Sequence, residues 1–287
     1  MITRRRFEWK LRDRTLVLGD RTLIMGVLNV TPDSFSDGGK YSDPDRAFAR
    51  AVEMEEEGAD IIDIGAESTR PGSSRISEAE ELRRLVPVLK RLRNQIATPI
   101  SVDTYKAGVA TKALELGALI LNDPSSLTFD PEMARAACQG NAGLILNHMR
   151  GTPDTWAKLP PLKDAMHTIV TELDASVHRA LRSGVDRKQI VIDPGLGFGK
   201  RKEQNAEILA QLGTLARLDL PVMVGPSRKH FLARDTTEQT EFATAAALTA
   251  AIMHGAHIVR VHDVKAMGAA ADVADEIARA ISPAARD

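Results

Sequence analysis

A short apolar run, a polar ending and then a charged amphipathic stretch recur in that order along the chain. The stretch 45–57 has helical spacing and stops at Gly58, and the run Ala59-Asp60-Ile61-Ile62-Asp63-Ile64-Gly65 follows. The stretch 106–116 stops at Gly117 before Ala118–Leu121, and 241–254 stops at Gly255 before Ala256–Val261. A glycine just past a helix supplies a left-handed conformation that side chains resist. The apolar runs are too short for helices and suit strands buried on both faces of a parallel sheet. Eight such strands are predicted, at Thr22–Leu28, Asp60–Ile64, Pro99–Val102, Leu119–Leu121, Gly143–Leu146, Gln189–Ile192, Pro221–Val224 and His257–Val261. Helical patterns follow at 45–57, 77–93, 106–116, 131–138, 163–183, 202–217, 241–254 and 265–280.

Eight β/α units in 287 residues predict an α/β fold, a single (β/α)8 TIM barrel. A doubly wound open sheet would absorb five or six units and leave two unplaced. Arg14–Leu18 and Arg21–Met25 flank Gly19-Asp20 and suggest an N-terminal β-hairpin capping the barrel. No linker or low-complexity tract interrupts the pattern, so one domain over 1–287 is expected, with its core at about 22–280.

Composition narrows the chemistry. The 38 Lys and Arg against 39 Asp and Glu leave a net charge of −1, which favours neither nucleic acid nor an anionic membrane as partner. A single cysteine, Cys138, excludes an internal disulfide and a Cys-rich zinc site. Arg4-Arg5-Arg6 is not followed by an apolar stretch, so no signal peptide is read there, and a cytoplasmic location is expected.

Reacting groups of such barrels come from strand C-termini and the loops beyond them. Here those positions hold Asn29, Asp63 with Glu67, Asp103, Asn122 with Asp123, Asn147 with His148, Asp193, Ser227-Arg228-Lys229, and Arg260 with His262 and Asp263. Helix capping and ordinary loop composition explain about half of these. They account poorly for Asp103, Asn122 and Asp193 directly at apolar strand ends, and for two basic clusters. The glycine-rich stretch Asp193–Lys200 fits neither a P-loop, having Pro194 and Arg201 at the wrong places, nor a dinucleotide loop, having Lys200 where Gly is needed. It reads as a backbone approaching a flat ligand with Phe198 as an apolar wall, or simply as a tight turn. Zinc spacing and a nucleophile elbow are both missing. The pattern favours binding and charge stabilisation over covalent catalysis.

These motifs together resemble dihydropteroate synthases of the stand-alone bacterial type, from about Thr22 to about Ala280. The segments that carry the resemblance are Met25–Gly39 (MGVLNVTPDSFSDGG), Asp63–Gly72 (DIGAESTRPG), Ser101–Thr104, Asn122-Asp123, His148–Pro153, Asp193–Lys200 (DPGLGFGK), Ser227-Arg228-Lys229 and Arg260–Val264. The resemblance implies that a dihydropterin carrying a hydroxymethyl diphosphate is joined to 4-aminobenzoate, giving dihydropteroate and diphosphate. The C–O bond ionises first and the arylamine traps the pterin cation. It also implies a Mg2+ cofactor and a homodimer. By the same resemblance Asp103, Lys229, Arg260 and His262 are the catalytic set. Asp193, Asp103 and Asn122 hold the pterin, Lys229 its ring carbonyl and nitrogen, and Arg260 and His262 the diphosphate. Asn29 helps place Mg2+. Thr69 and Arg70 lie on a loop closing over the diphosphate, and Ser227, Phe198 and Pro71 shape the aminobenzoate subsite. Phe35 and Pro71 in family-typical loops imply sulfonamide sensitivity.

The chain departs from the family pattern at several positions. Asn-Asp-Val/Ile-Ser-Gly becomes Asn122-Asp-Pro-Ser-Ser126, Met-His-Met-Arg becomes Asn147-His-Met-Arg150, and Pro226 stands where a small residue is common. Two alternatives compete with the synthase: a barrel binding methyltetrahydrofolate for corrinoid methyl transfer, and a pterin-binding barrel without activity. The Glu67–Gly72 loop and Ser227-Arg228-Lys229 argue against the first, and the changes at Pro124 and Ser126 motivate the second.

Overall fold

The structure, a computed structural model, describes residues 4–31, 43–70 and 72–281. Two short strands, β1 (Phe7–Lys10) and β2 (Thr15–Leu18), pair antiparallel and precede the barrel. The parallel strands are β3 (Leu23–Asn29), β4 (Ile61–Gly65), β5 (Ile100–Asp103), β6 (Ile120–Asp123), β7 (Gly143–Asn147), β8 (Ile190–Asp193), β9 (Met223–Val224) and β10 (Ile258–Val261). Their order is β8-β7-β6-β5-β4-β3-β10-β9. A parallel bridge between Ile192 and Val222, with the Ile192 N–H donating to the Pro221 carbonyl at 3.0 Å, joins the two ends into a barrel. Around it run α1 (Asp43–Glu56), α2 (Glu78–Leu92), α3 (Ala107–Glu115), α4 (Met133–Gln139), α5 (Ala165–Arg182), α6 (Lys202–Ala210), α7 (Thr237–Met253) and α8 (Val264–Ile281).

Strand alternation divides the core in two. Ile62, Ile64, Val102, Leu121, Leu144 and Leu146 face outward and pack beneath the helices. Met25, Ile61, Ile120, Ile145, Val191, Met223 and Ile258 face inward and form one apolar layer with Trp9, Leu11 and Leu18. Trp9 is wholly buried and donates its indole N–H to the Gln189 carbonyl at 2.7 Å, at the N-terminal end of β8. Losing such a side chain costs about 3–5 kcal/mol, so the hairpin is part of the core and closes the barrel's lower end. The opposite, C-terminal end is left for a site.

Capping follows the sequence. Ser77, Asp164 and Thr236 accept from backbone N–H groups in the first turns of α2, α5 and α7. Gly117 and Gly255 follow α3 and α7 with φ of 109° and 100°. Most expected boundaries shift by one or two residues, and three elements change more. The hairpin pairs Phe7–Lys10 with Thr15–Leu18 around a turn in which Leu11 N–H donates to Arg14 O, and Arg21–Met25 is not an arm of it. The inward alternation of Phe7, Trp9 and Leu11 outweighs the weak Gly19-Asp20 signal, and Leu23–Met25 goes to the barrel. The helix expected over 202–217 stops at Ala210, and a 3-10 segment takes up Leu212–Leu218, since Gly213 weakens a helix interior. The seventh strand shortens to Met223–Val224 because Pro221 has no N–H for a ladder. Among the described residues no helix is long and apolar enough to cross a membrane.

Candidate active site

Two residues beyond the inward apolar layer, the same strand faces turn polar. Ile61 leads to Asp63, Ile120 to Asn122, Ile145 to Asn147, Val191 to Asp193 and Ile258 to Arg260. Period-two alternation puts each of these side chains inside the barrel. Asp63 is wholly buried, and Asn122, Asn147 and Asp193 are each 4% exposed. Arg260 lies between two carboxylates. Its Nε donates to Asp63 Oδ2 at 2.6 Å and one terminal nitrogen to Asp103 Oδ2 at 2.9 Å. Asn122 Nδ2 donates to the same Asp63 oxygen at 3.1 Å. A guanidinium has five N–H groups, so three remain after these two bonds.

Above this layer opens a cavity of about 840 Å³. Asn29, Thr69, Arg70, Asp103, Ser227, Lys229, Arg260 and His262 all line it. Asn122, Asp193 and Phe198 are not on its wall. Lys229 lies across the Phe198 ring, its Nζ 4.0 Å from the centroid, and Trp156 meets that ring edge-on at 5.3 Å. Ser227 Oγ is 2.9 Å from His262 Nδ1 and accepts the His262 backbone N–H at 3.2 Å. Pro71 and Phe35 lie outside the described residues.

Burial and neighbouring charge tune these groups in opposite directions. Desolvation pushes Asp193 up to about 6 despite the Gly195 N–H it accepts at 2.7 Å. Desolvation and the Arg260 charge bring Lys229 down to about 8. Desolvation also raises Asp103, against the pull of Arg260. Burial opposes the Arg260 charge, and Asp63 and Asp103 overcome it, so its pKa rises. His262 falls to about 3 through burial and the cations Arg260, Arg228, Lys229 and Arg70. It is neutral at pH 7 and offers a hydrogen bond rather than a charge. Of these perturbed groups Asp103, Lys229, Arg260 and His262 converge on one cavity, which marks a functional site.

Residues 25–262 match the family described as pterin binding enzyme. The chain belongs to this pterin-binding enzyme family. It is 46% identical over 265 residues to the dihydropteroate synthase of Synechocystis sp., covering 91% of this chain and 92% of the relative. The Xanthomonas albilineans dihydropteroate synthase with 4-aminobenzoic acid superposes with a TM-score of 0.88 at 38% identity, covering 95% and 98% of the two chains. The Yersinia pestis dihydropteroate synthase in a sulfonamide complex gives 0.88 at 39% identity, covering 94% and 99%.

For a pterin-binding enzyme, the glycine-rich loop proves to be shaped by the protein itself. A Cβ on Gly195 would stand 1.9 Å from the His148 carbonyl oxygen, and one on Gly199 2.8 Å from that of Arg150. Lys200, buried, donates to the carbonyls of His148, Pro194 and Gly195 at 2.7, 2.8 and 2.7 Å. The glycines let the β7 and β8 loops interlock around that ammonium, while Gly197 and Gly199 also line the cavity.

Glu67 also takes a structural place. Its carboxylate accepts from Tyr105 Oη at 2.7 Å, Lys106 Nζ at 2.5 Å and the Ile76 N–H at 3.3 Å, which anchors both ends of the segment carrying Thr69 and Arg70. Two contributors, the strand-end Asp63 and Lys200 of the glycine-rich motif, carry no role in the sequence reading. Asp63 shares the inward parity of Asn122 and Asp193, a signal present in the sequence. Nothing local distinguishes Lys200 from a surface lysine.

Proposed function

We infer that the chain is a dihydropteroate synthase, one domain that joins (7,8-dihydropterin-6-yl)methyl diphosphate to 4-aminobenzoate. The reading rests most on the convergence of Asp103, Lys229, Arg260 and His262 on one cavity at the barrel's C-terminal end. The buried carboxylate of Asp193 accepts the paired N–H groups of the amino-pyrimidinone edge. Asn122 and Asp103 complete the pterin contacts, and Lys229 donates to the ring carbonyl and nitrogen. The three spare N–H groups of Arg260, with neutral His262 as a donor, bind the diphosphate, while Thr69 and Arg70 cover it. Ser227, Phe198 and Pro71 shape the aminobenzoate subsite.

Breaking the C–O bond sends its electron pair to the diphosphate, and the electron-rich pterin stabilises the remaining cation. The arylamine nitrogen forms the new C–N bond and releases a proton to solvent or to diphosphate. No protein nucleophile is required. The fixed cations lower the barrier by stabilising charge as it develops on the leaving group.

Among the described residues no three His, Cys, Asp or Glu side chains gather as metal ligands. The amide of Asn29 on the cavity wall fits an ion that keeps most of its water and takes its other ligands from substrate phosphates. Asn29 would hold Mg2+, which when bound neutralises leaving-group charge. Phe242 on α7 and Val273 and Ile277 on α8, a packed helix pair, are exposed apolar residues and support a homodimer. The protein acts in the cytoplasm.

Incubation with the pterin diphosphate, 4-aminobenzoate and Mg2+ tests the reading. It should give dihydropteroate and diphosphate in equal amounts. Absence of both overturns the synthase, and dependence on a corrinoid would point to methyl transfer instead.

A further inference from the structure

β6 leaves the barrel through a turn its own residues make unfavourable. Pro124, just past Asp123, has no N–H to donate. Ser126 and Leu127 follow with φ of 52° and 62°, a left-handed pair that side chains resist. Such conformations persist only where their surroundings over-determine them. Three side chains do this. Asp123 folds back on its own turn, accepting from Ser125 N–H, Ser125 Oγ and Leu127 N–H at 2.7–2.8 Å. Arg179 of α5 donates to the Ser126 carbonyl at 3.0 Å. Asn147, at the end of β7, donates Nδ2 to the Pro124 carbonyl at 3.0 Å.

The third brace stands inside the site. Asn147 faces into the barrel in register with Asp193 on β8, and Pro124 is two residues beyond Asn122 on β6. Its amide therefore ties the strand end carrying Asn122 to the one beside Asp193. A methionine at this position would have no side-chain N–H to give, and a glycine at 126 would adopt the left-handed conformation unaided. Pro124, Ser126 and Asn147 thus form one compensating set.

We propose that Asn147 is a positioning residue for pterin recognition: its bond to the Pro124 carbonyl holds the left-handed turn after Asn122, and the turn fixes Asn122 relative to Asp193. This rests on the synthase reading and adds a residue to it. The test compares wild type, Asn147→Met, Asn147→Asp, Ser126→Gly and Asn147→Met/Ser126→Gly by steady-state kinetics, thermal unfolding and calorimetry with a bare pterin. Asn147→Asp keeps the shape and removes the donor, so it serves if the methionine variant folds poorly. Loss of the donor should raise KM for the pterin diphosphate about tenfold, with kcat within about twofold and KM for 4-aminobenzoate unchanged. Ser126→Gly alone should resemble wild type, and the double variant should recover most of the loss. Unchanged pterin KM, a uniform fall of every parameter together with the melting temperature, or no recovery in the double variant would overturn the proposal. If wild type binds pterin but makes no product, the synthase reading fails, and pterin affinities across the same variants decide this one. A wild type that binds no pterin overturns both.

Discussion

Asp63 offers the sharpest perturbation of the site, because it stands off the cavity wall and yet organises Asn122 and Arg260. It is wholly buried and holds Arg260 Nε at 2.6 Å and Asn122 Nδ2 at 3.1 Å. A hydrogen bond to a charged group contributes about 1.5–3 kcal/mol and a neutral one about 1 kcal/mol. Leaving a buried ion wholly unpaired costs about 3–5 kcal/mol. Arg260 keeps Asp103 at 2.9 Å and is itself partly exposed, so Asp63→Ala falls short of that. Removing the carboxylate also removes its own desolvation cost. The balance is a loss of about 2–3 kcal/mol in folding stability. Asp63→Asn keeps an acceptor without the charge and should lose about half as much. Both variants free Asn122 and Arg260 to reorient, which should raise KM for the pterin diphosphate at least tenfold, equivalent to about 1.4 kcal/mol. Urea unfolding and steady-state kinetics on the three proteins provide the assay. An Asp63→Ala variant with wild-type stability and wild-type KM would refute the role given to Asp63.

Arg260→Ala should weaken binding of the diphosphate substrate about ten- to a hundredfold more than binding of a bare pterin, as loss of charge-assisted bonds predicts; equal losses by calorimetry contradict its placement on the diphosphate. Asp193→Ala should abolish pterin binding, and a variant of unchanged affinity refutes that role. Burial holds Asp193 near 6, so the acceptor carboxylate is present above that pH and becomes protonated as pH falls through it. Pterin affinity should therefore fall about tenfold per unit below pH 6, and a limb centred near pH 4 would contradict this. Lys229, lowered to about 8, loses its charge above that pH and should set the alkaline limb of kcat/KM. A sulfonamide should raise the apparent KM for 4-aminobenzoate, and turnover unaffected by it at low 4-aminobenzoate would count against the subsite.

The barrel is legible because its strands are apolar on both faces and most end abruptly in polar residues. Ile120-Leu121-Asn122 and Val191-Ile192-Asp193 show the transition within three residues. Asn122 and Asp193 share their inward parity with Asp63 and Asn147, but parity alone does not say what a side chain will meet. Asp63 meets Arg260 across 197 residues of sequence, and Asn147 meets Pro124 across 23. Lys200 was harder still, since three backbone carbonyls bind it and a carbonyl leaves no trace in residue identity. The hairpin differs from its local turn signal for a related reason: what fixes β1 is the burial of Trp9 under the barrel, a tertiary contact that outweighs that signal.

Every role given to the barrel-end residues depends on where the pterin binds. The direct measurement is a crystal structure of the protein with a bare pterin and diphosphate bound together. The predicted result has the amino-pyrimidinone edge on the Asp193 carboxylate, with Asn122 and Lys229 at the ring and diphosphate against Arg260 and His262 near Asn29. A pterin bound outside the barrel mouth, or turned so that its amino-pyrimidinone edge meets Arg260, would contradict it.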